Sequence, residues 1–256
     1  MLRNIGEMWR YRNLIWALVC RHLNARYRGS FLGFIWSFLN PLCLIAVYSL
    51  VFQYYIPLNG VQNYTLFLFT GLLPWIWFSS GLIEATSSIT SGGSLITKAM
   101  FPPHILPSVS VLTNLFNFLF ALPLLLIFML FWGVMPESSL LMLPLIILTE
   151  LLFMLGLGLG LSALNVHYRD VQHILGNLMT LWFFLCPIIY PSERVPRWLI
   201  LLNPVAQFTE MYHQVFLRGQ FPNLLLLLFT LGVSAITFMA GSLLFNRYRE
   251  EFAELV

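Results

Sequence analysis

The sequence predicts an all-α polytopic membrane protein, and three observations support this fold class. Charged residues make up 9% of the 256 residues, against roughly 25% in ordinary soluble domains. Hydrophobic residues make up 59%, and the mean hydropathy is +0.82. Charges are also unevenly spread, since the stretch between Gly29 and Val166 holds only Glu84, Lys98, Glu137 and Glu150. A soluble surface of mixed charge cannot be built from such a chain, so most of it must lie in lipid.

The N-terminal segment, residues 1–28, predicts an amphipathic helix along the cytoplasmic interface of the membrane. At 100° per residue its cationic and apolar side chains separate onto opposite faces, namely Arg3, Arg10, Arg21 and Arg28 against Met8, Ile15, Trp16, Val19 and Leu23. Arg12 and Arg26 fall on the apolar side, where they can extend to the interface or contact a partner protein. A simple anchor to anionic lipids is the alternative interpretation.

Residues 29–256 predict one transmembrane domain of six helices. A spanning helix needs about 20 apolar residues, and suitable segments lie at about 31–56, 64–88, 108–134, 140–165, 174–190 and 223–245. All are too long for buried strands. The fifth segment is short and contains Pro187. In the fourth, the small residues Gly156, Gly158 and Gly160 indicate close helix packing.

The distribution of Lys and Arg sets the predicted orientation, because basic residues near the ends of spans stay in the cytoplasm. Six spans place both termini and ten basic residues inside, and leave Arg194, Arg197 and Arg218 outside. These three belong to the segment Ser192 to Pro222, in which the apolar run Trp198 to Leu202 is too short to span. We expect this segment to be re-entrant, with short helices that dip from the external face and are shielded by protein.

The energy for transport is predicted to come from another subunit. A P-loop needs Gly-Lys-Ser/Thr, and the single lysine, Lys98, lies between Thr97 and Ala99. Ion coupling usually uses paired titratable groups near the bilayer midplane, for which Glu84 and Glu150 are the candidates. An ATP-hydrolysing partner is therefore favoured, and a stand-alone flippase or ion-coupled carrier that depends on Glu84 or Glu150 is the alternative.

Catalysis by this chain is not predicted. The most suggestive polar group is His167, Arg169, Asp170 and His173, in the loop after span four. It lacks a fourth metal ligand and lies where charges are expected anyway, so contact with solvent or a partner protein is favoured over a metal site. A membrane enzyme that uses His167 and Asp170 is a third alternative.

The loop after span two predicts a docking site for a soluble subunit. Seven of the twelve residues from Thr86 to Thr97 are Ser or Thr, Gly92 and Gly93 lie among them, and Phe101-Pro102-Pro103-His104 follows Lys98. Glycine and proline mark a helix end, a short helix and a turn back into the membrane. A plain polar linker is the alternative.

Aromatic residues make up 16% of the chain, and many lie near span ends, as membrane interfaces favour. A subset facing a channel would suit sugars, because flat amphipathic rings stack on the apolar faces of pyranoses. The candidates are Tyr54, Tyr55, Trp75, Trp77 and Phe78.

The turn into span one reads Arg26-Tyr27-Arg28-Gly29-Ser30-Phe31-Leu32-Gly33-Phe34-Ile35-Trp36 and continues to Asn40-Pro41-Leu42. Further along come Gly71-Leu72-Leu73-Pro74-Trp75, Lys98 with Phe101-Pro102, Arg169-Asp170, Pro187-Ile188-Ile189-Tyr190 and Asn203-Pro204. No single segment is specific. In this order and over nearly the whole chain, they resemble the permease subunits of ABC-2 type polysaccharide exporters, specifically O-antigen permeases, with capsule and teichoic-acid permeases close by.

The resemblance implies a homodimer of six-helix subunits in the bacterial inner membrane, with a continuous channel between them and two separate ABC ATPase subunits. It implies export of a polymer linked to a polyprenyl diphosphate lipid, O antigen above all, or else capsule or teichoic acid. Drug or lipid export, as in more distant members, is a further alternative. ATP and Mg²⁺ would bind to the partner subunit, and this chain would bind no cofactor. The chain would contact membrane lipids, and it would not bind nucleic acid.

The resemblance also implies roles for individual positions. Contact with the ATPase would involve Arg12, Arg21, Ser94, Lys98, Phe101, Pro102, His104, Arg169 and Asp170. The substrate would enter beside Arg26, Tyr27, Arg28, Leu32 and Gly33, where Arg26 and Arg28 meet the diphosphate. An external gate formed by Glu193 to Arg218 would work with Pro187, Tyr190, Trp198, Asn203 and Pro204.

Overall fold

A computed structural model describes residues 6–7, 9–55, 63–92 and 102–252, and within these ranges the chain forms helices and turns with no strand. We number the α-helices α1 (Arg12–Tyr27), α2 (Trp36–Leu50), α3 (Tyr64–Ser91), α4 (Ile105–Phe131), α5 (Leu143–His167), α6 (Asp170–Leu185), α7 (Arg197–Leu202), α8 (Pro204–Phe216) and α9 (Leu224–Tyr248). Short 3-10 helices lie at Gly33–Ile35, Ser138–Met142 and Ser192–Arg194, and a π-helical turn, Val51–Tyr55, extends α2. The predicted all-α membrane architecture is confirmed.

Five helical segments of the described ranges are long and apolar enough to cross a membrane: Trp36–Gln53, Tyr64–Ser91, Ile105–Phe131, Ser138–His167 and Leu224–Tyr248. They correspond to five of the six predicted spans. The remaining one, predicted at 174–190, is occupied by the 16-residue helix α6. At 1.5 Å per residue α6 is about 24 Å long, shorter than the ~30 Å hydrocarbon core. Six spans therefore stay a prediction.

Helix α3 is the central element of the bundle. It packs against α2, α4, α5, α6 and α8, and its large side chains Leu66, Phe69, Phe78 and Leu82 are buried. The surrounding helices turn apolar side chains outward instead, as Ile127 on α4 and Ile236 on α9 do. An apolar exterior around a protein-enclosed helix is the arrangement expected of a bundle in lipid.

Helices α5 and α9 cross with their backbones in contact. A Cβ atom added to Gly156 would lie 2.5 Å from the backbone of Phe238 on α9, and one added to Gly241 would clash with the Gly156 carbonyl. Gly160 also faces Gly241, whose Cα would lie 3.5 Å from an added Cβ. The close packing predicted from the small residues of span four is thus confirmed.

Helix α1 lies against α4. Ile15, Leu18 and Val19 are buried beside Ile105 and Val109, and Trp16 meets the Phe116 ring edge-on at 5.2 Å between centroids. The apolar face predicted for the N-terminal segment therefore packs on α4, and this packing positions the C-terminal end of α1. Contact of this segment with the membrane interface stays a prediction.

Candidate functional site

Three polar side chains from three helices meet at one point. The Arg26 guanidinium of α1 forms an ion pair with the Glu84 carboxylate of α3, and its Nη1 donates to Asn114 Oδ1 of α4 at 3.5 Å. Asn114 Nδ2 donates to the second Glu84 oxygen at 2.8 Å. We call this the Arg26–Glu84–Asn114 cluster. The cluster pairs an acid with a base, and the carboxamide of Asn114 bridges them.

Local sequence explains how these side chains come together. Arg26 is on the apolar face of α1, in its last turn, where a cation suits the helix dipole. Asn114 is buried on the α4 face that packs against α3, and its Nδ2 also donates to the Ser110 carbonyl at 3.0 Å. A buried carboxamide needs such partners, and here it orients the carboxylate toward Arg26.

A cavity of about 310 Å³, which we call the tryptophan cavity, opens on one side of the cluster. Its walls include Arg26, Asn114, Asn40, Asn117, Trp36 and Trp77. The Trp77 ring stacks on Phe118 with centroids 5.0 Å apart, and its buried Nε1 has no hydrogen-bond partner among the described residues. A cation, carboxamides and indoles together suit a ligand that carries both phosphate oxygens and sugar hydroxyls.

A second cavity, of about 480 Å³, lies on the other side of the cluster. It is lined by Arg21 and His22 of α1, Glu84, Ser87 and Ser91 of α3, and Ser110 of α4, and we call it the serine cavity. Partial burial lowers the pKa of His22 below its ordinary 6.5, the charges of Arg21 and Arg26 act in the same direction, and Glu84 opposes them. The cationic character of this cavity therefore comes from Arg21 at neutral pH.

The other residues predicted to receive the substrate surround the turn from α1 to α2. Gly29 and Gly33 adopt positive φ angles of +79° and +50°, which side chains with a Cβ rarely tolerate, so this turn depends on glycine. Arg28 is exposed and Leu32 is half-buried. Tyr27 is in α1, and its side chain lies outside the described part of the structure.

The predicted ATPase contacts fall into two groups. Ser94, Lys98 and Phe101 lie outside the described residues. Of the others, Arg12, Arg21, Arg169 and Asp170 are exposed, Pro102 is half-buried, and His104 is buried with its Nδ1 3.6 Å from the Glu7 carboxylate. His167 is the last residue of α5, whereas Asp170 and His173, predicted in the same loop, belong to α6. His167 Nε2 lies 2.7 Å from Glu251 Oε2, so the end of α5 pairs with the segment after α9.

The predicted gate residues lie where α6, α7 and α8 meet. Pro187 is buried, and the Tyr190 hydroxyl donates to the Phe184 carbonyl. Asn203 caps α8, which begins at Pro204, while Trp198 on α7 is exposed. The Tyr64 hydroxyl of α3 donates to the Ile189 carbonyl at 2.9 Å. The turn after α6 is therefore attached to the central helix.

The partner of Glu150 is not predicted by the sequence. This carboxylate of α5 is 1% exposed and accepts a 2.7 Å hydrogen bond from the Tyr212 hydroxyl of α8. The ion pairs of Arg218 are not predicted either: its guanidinium lies 2.8 Å from the Glu193 carboxylate and 3.0 Å from the Glu210 carboxylate. Local periodicity carries no signal for such contacts between helices.

The aromatic residues predicted to line a channel occupy different environments. Tyr55 is exposed, whereas Trp75, Trp77 and Phe78 are buried within the protomer, and the Tyr54 side chain lies outside the described part of the structure. Trp75 lines a cavity of about 450 Å³ between α2, α3 and α6, and Phe78 packs against Phe153 and Trp182. A channel-lining role for these residues stays a prediction.

Comparison with known proteins identifies the family. The ABC-2 type transporter family matches residues 13–217, most of the 256-residue chain. The chain belongs to the ABC-2 type transporter family. The matched range of this ABC-2 protein begins in α1, includes the Arg26–Glu84–Asn114 cluster and both cavities, and ends just after α8.

Individual relatives of the ABC-2 chain are polysaccharide export proteins. An O-antigen export system permease protein of Myxococcus xanthus is 41% identical over 100% of both chains. Another from Klebsiella pneumoniae is 30% identical over 100% of this chain and 98% of its own. A polysialic acid transport protein of Escherichia coli is 23% identical over 92% and 93%, respectively. The family is one of membrane permease subunits, which are not themselves ATPases.

Proposed function

We propose that this chain is the transmembrane permease subunit of an ATP-driven exporter that moves a polyprenyl-diphosphate-linked polysaccharide, O antigen first of all, across the bacterial inner membrane. The observation that carries the proposal is the full-length relationship to O-antigen export permeases, at 41% and 30% identity. The lower identity of 23% to a polysialic acid transporter favours O antigen over capsule and teichoic acid, which remain the second choice within the same class.

The site supports a lipid-linked diphosphate as the substrate. Arg26 lines a cavity whose walls also include three carboxamides and two indoles, and exposed Arg28 follows two residues later. Guanidinium groups bind phosphate oxygens in a bidentate manner, while indoles stack on pyranose rings. The substrate would enter at this end of the bundle, beside the glycine-dependent turn that includes Leu32 and Gly33.

Separate ATPase subunits are supported by the state of the two intramembrane acids. Glu84 is engaged by Arg26 and Asn114, and Glu150 by Tyr212, so each carboxyl group has a partner of its own within the protomer. The two acids therefore do not face each other as the paired titratable groups that ion coupling usually needs. Exposed charged residues that suit a cytoplasmic partner are Arg12, Arg21, Arg169 and Asp170.

A homodimer with six spans per subunit is the assembly that we propose. Helices α2 and α6 expose apolar residues such as Val47, Leu50, Leu181 and Phe184, and the cavity beside Trp75 lies between these two helices. A second copy that covers these faces would enclose a channel with aromatic walls. Segment Glu193 to Arg218 would form the external gate, and both termini would be cytoplasmic by the distribution of basic residues.

The test is affinity purification of the tagged chain from its native membrane in mild detergent, followed by reconstitution. We expect a soluble subunit with a P-loop to copurify, and the pair to hydrolyse ATP and export a lipid-linked glycan into vesicles. Substitution of the P-loop lysine of that subunit is the matched control and should abolish export. Transport by the chain alone, with dependence on Glu84 or Glu150, would instead identify an ion-coupled carrier.

A further inference from the structure

The Arg26–Glu84–Asn114 cluster is the boundary between two cavities. On α3, Ser80 lines the tryptophan cavity and Ser87 the serine cavity, and Glu84 lies between them in sequence. On α4, Asn117 and Ser110 line the two cavities in the same way, with Asn114 between them. The three side chains thus form a polar partition between the two cavities.

Helix α1 completes the boundary. Arg21, His22 and Ala25 line the serine cavity, and Arg26, the next residue, lines the tryptophan cavity. Glu84 is exposed to the serine cavity, while the Arg26 side chain that it binds faces the other one. An anion that arrives in the serine cavity therefore meets the Glu84 carboxylate before it reaches the guanidinium.

The ion pair is one that a stronger anion can replace. The side chains of Arg26 and Glu84 are 35% and 38% exposed, and pairs accessible to water contribute little net stability. A diphosphate carries more charge than one carboxylate and offers several oxygens to the planar guanidinium. Asn114 Nδ2, which now donates to Glu84, can donate to a phosphate oxygen instead.

We propose that the Arg26–Glu84–Asn114 cluster is an anion-exchange gate, in which the diphosphate of the lipid-linked substrate displaces the Glu84 carboxylate from Arg26 and so joins the serine and tryptophan cavities. The inference deepens the proposed function and rests on it. Arg21 attracts the diphosphate into the serine cavity. The sugar next to the diphosphate then occupies the tryptophan cavity, whose 310 Å³ is at the small end of ligand pockets.

The experiment measures binding of farnesyl diphosphate to the purified complex of this chain with its copurifying ATPase, by competition with a fluorescent isoprenyl diphosphate. Glu84→Gln keeps the shape of the side chain but removes the charge that holds Arg26. The half-saturating concentration should fall about three-fold, the size expected for release of an exposed ion pair. Arg26→Gln should raise it about ten-fold or more, because a charge-assisted contact to phosphate is lost.

Three controls make the result specific. Glu251→Gln removes the carboxylate that pairs with His167 in another part of the chain and should leave the half-saturating concentration unchanged. In the Arg26→Gln background, Glu84→Gln should have no effect, since no guanidinium is left to release. Inorganic pyrophosphate should compete more weakly than farnesyl diphosphate. Equal competition would mean that the isoprenyl chain adds nothing to binding, and it would overturn the proposal that the ligand is lipid-linked.

The gate is overturned if Glu84→Gln binds farnesyl diphosphate as the wild type does, or more weakly, since the ion pair would then only stabilise the fold. If that variant does not fold, Glu84→Asp, whose shorter carboxylate reaches Arg26 less well, takes its place, with a fall in half-saturation expected and an unchanged value decisive against the gate. ATP-dependent glycan export by the same preparation is scored separately. If the wild-type preparation does not export glycan, the proposed function is overturned. If it exports glycan but Glu84→Gln does not change the binding of farnesyl diphosphate, the gate alone is overturned.

Discussion

The indole Nε1 of Trp182 donates a hydrogen bond to the side-chain oxygen of Asn203 at 2.9 Å. The same oxygen accepts the backbone N–H groups of Val205 and Ala206 at the start of α8. The Asn203 amide nitrogen donates to the Leu185 carbonyl at the end of α6, 3.3 Å away. One side chain therefore joins the end of α6 to the beginning of α8, next to the turn that contains Pro187.

Asn203→Ala should lower the free energy of unfolding by about 2 kcal/mol, because it removes a helix cap and leaves the Trp182 donor unsatisfied. Thermal unfolding in detergent, followed by tryptophan fluorescence, measures the loss. Asn223→Ala is the control, since Asn223 caps α9 through a single bond to the Leu225 N–H and should cost about 1 kcal/mol. Equal losses would mean that the link to Trp182 contributes nothing.

Tyr212→Phe should destabilise the protein by about 1–3 kcal/mol, because the buried Glu150 carboxyl group loses its donor. Tyr168→Phe provides the matched control, since Tyr168 is exposed and should tolerate loss of its hydroxyl. Both variants are compared with the wild type by thermal unfolding. If Glu150→Leu restores the stability that Tyr212→Phe loses, the unsatisfied carboxyl group is the cause of the loss. If stability is not restored, the cause is lost packing around the ring.

Gly156→Ala should impair assembly of the bundle strongly, because its Cβ atom would meet the Phe238 backbone at 2.5 Å and helix backbones cannot yield as side chains do. The loss in free energy of unfolding should be at least the ~1–3 kcal/mol that overpacking of a core costs. Gly232→Ala in α9 meets nothing within 4 Å and should behave like the wild type. Yield of monodisperse protein and melting temperature check both variants.

Stability should fall as the pH drops below about 6.5, in part because of His22. Burial lowers the pKa of His22 in the folded protein, so the unfolded chain binds its proton first and stability is lost in acid. His22→Asn should therefore reduce the drop in melting temperature between pH 7.5 and pH 5.5. An unchanged drop in this variant would assign the acid sensitivity to other groups.

Long apolar runs made most of the helices predictable, since a bilayer requires a minimum length of apolar helix. The second and sixth predicted spans, 64–88 and 223–245, match α3 (Tyr64–Ser91) and α9 (Leu224–Tyr248) to within three residues. The fifth predicted span, 174–190, overlaps α6 in part: α6 ends at Leu185, and the apolar residues up to Tyr190 form a turn that accepts a hydrogen bond from Tyr64. Composition alone does not separate a buried apolar turn from a span.

The candidate site was only half predictable. Arg26 was conspicuous as a cation on an apolar helix face, and Glu84 as one of very few acids in a span. Their pairing depends on how α1 and α3 rotate against α4, which packing between residues far apart in sequence decides. The two cavities and the role of Asn114 as a bridge follow from that packing, and no local sequence pattern predicts them.

The two intramembrane acids differ in whether they are synthesised after or before their partners. Arg26 precedes Glu84 by 58 residues, so this carboxylate reaches the bilayer when its cationic partner has already been made. Glu150 precedes Tyr212 by 62 residues, so α5 is synthesised before the phenol that satisfies its carboxyl group exists. If α5 inserts as it is made, we expect this carboxyl group to lack its partner until translation has delivered α8.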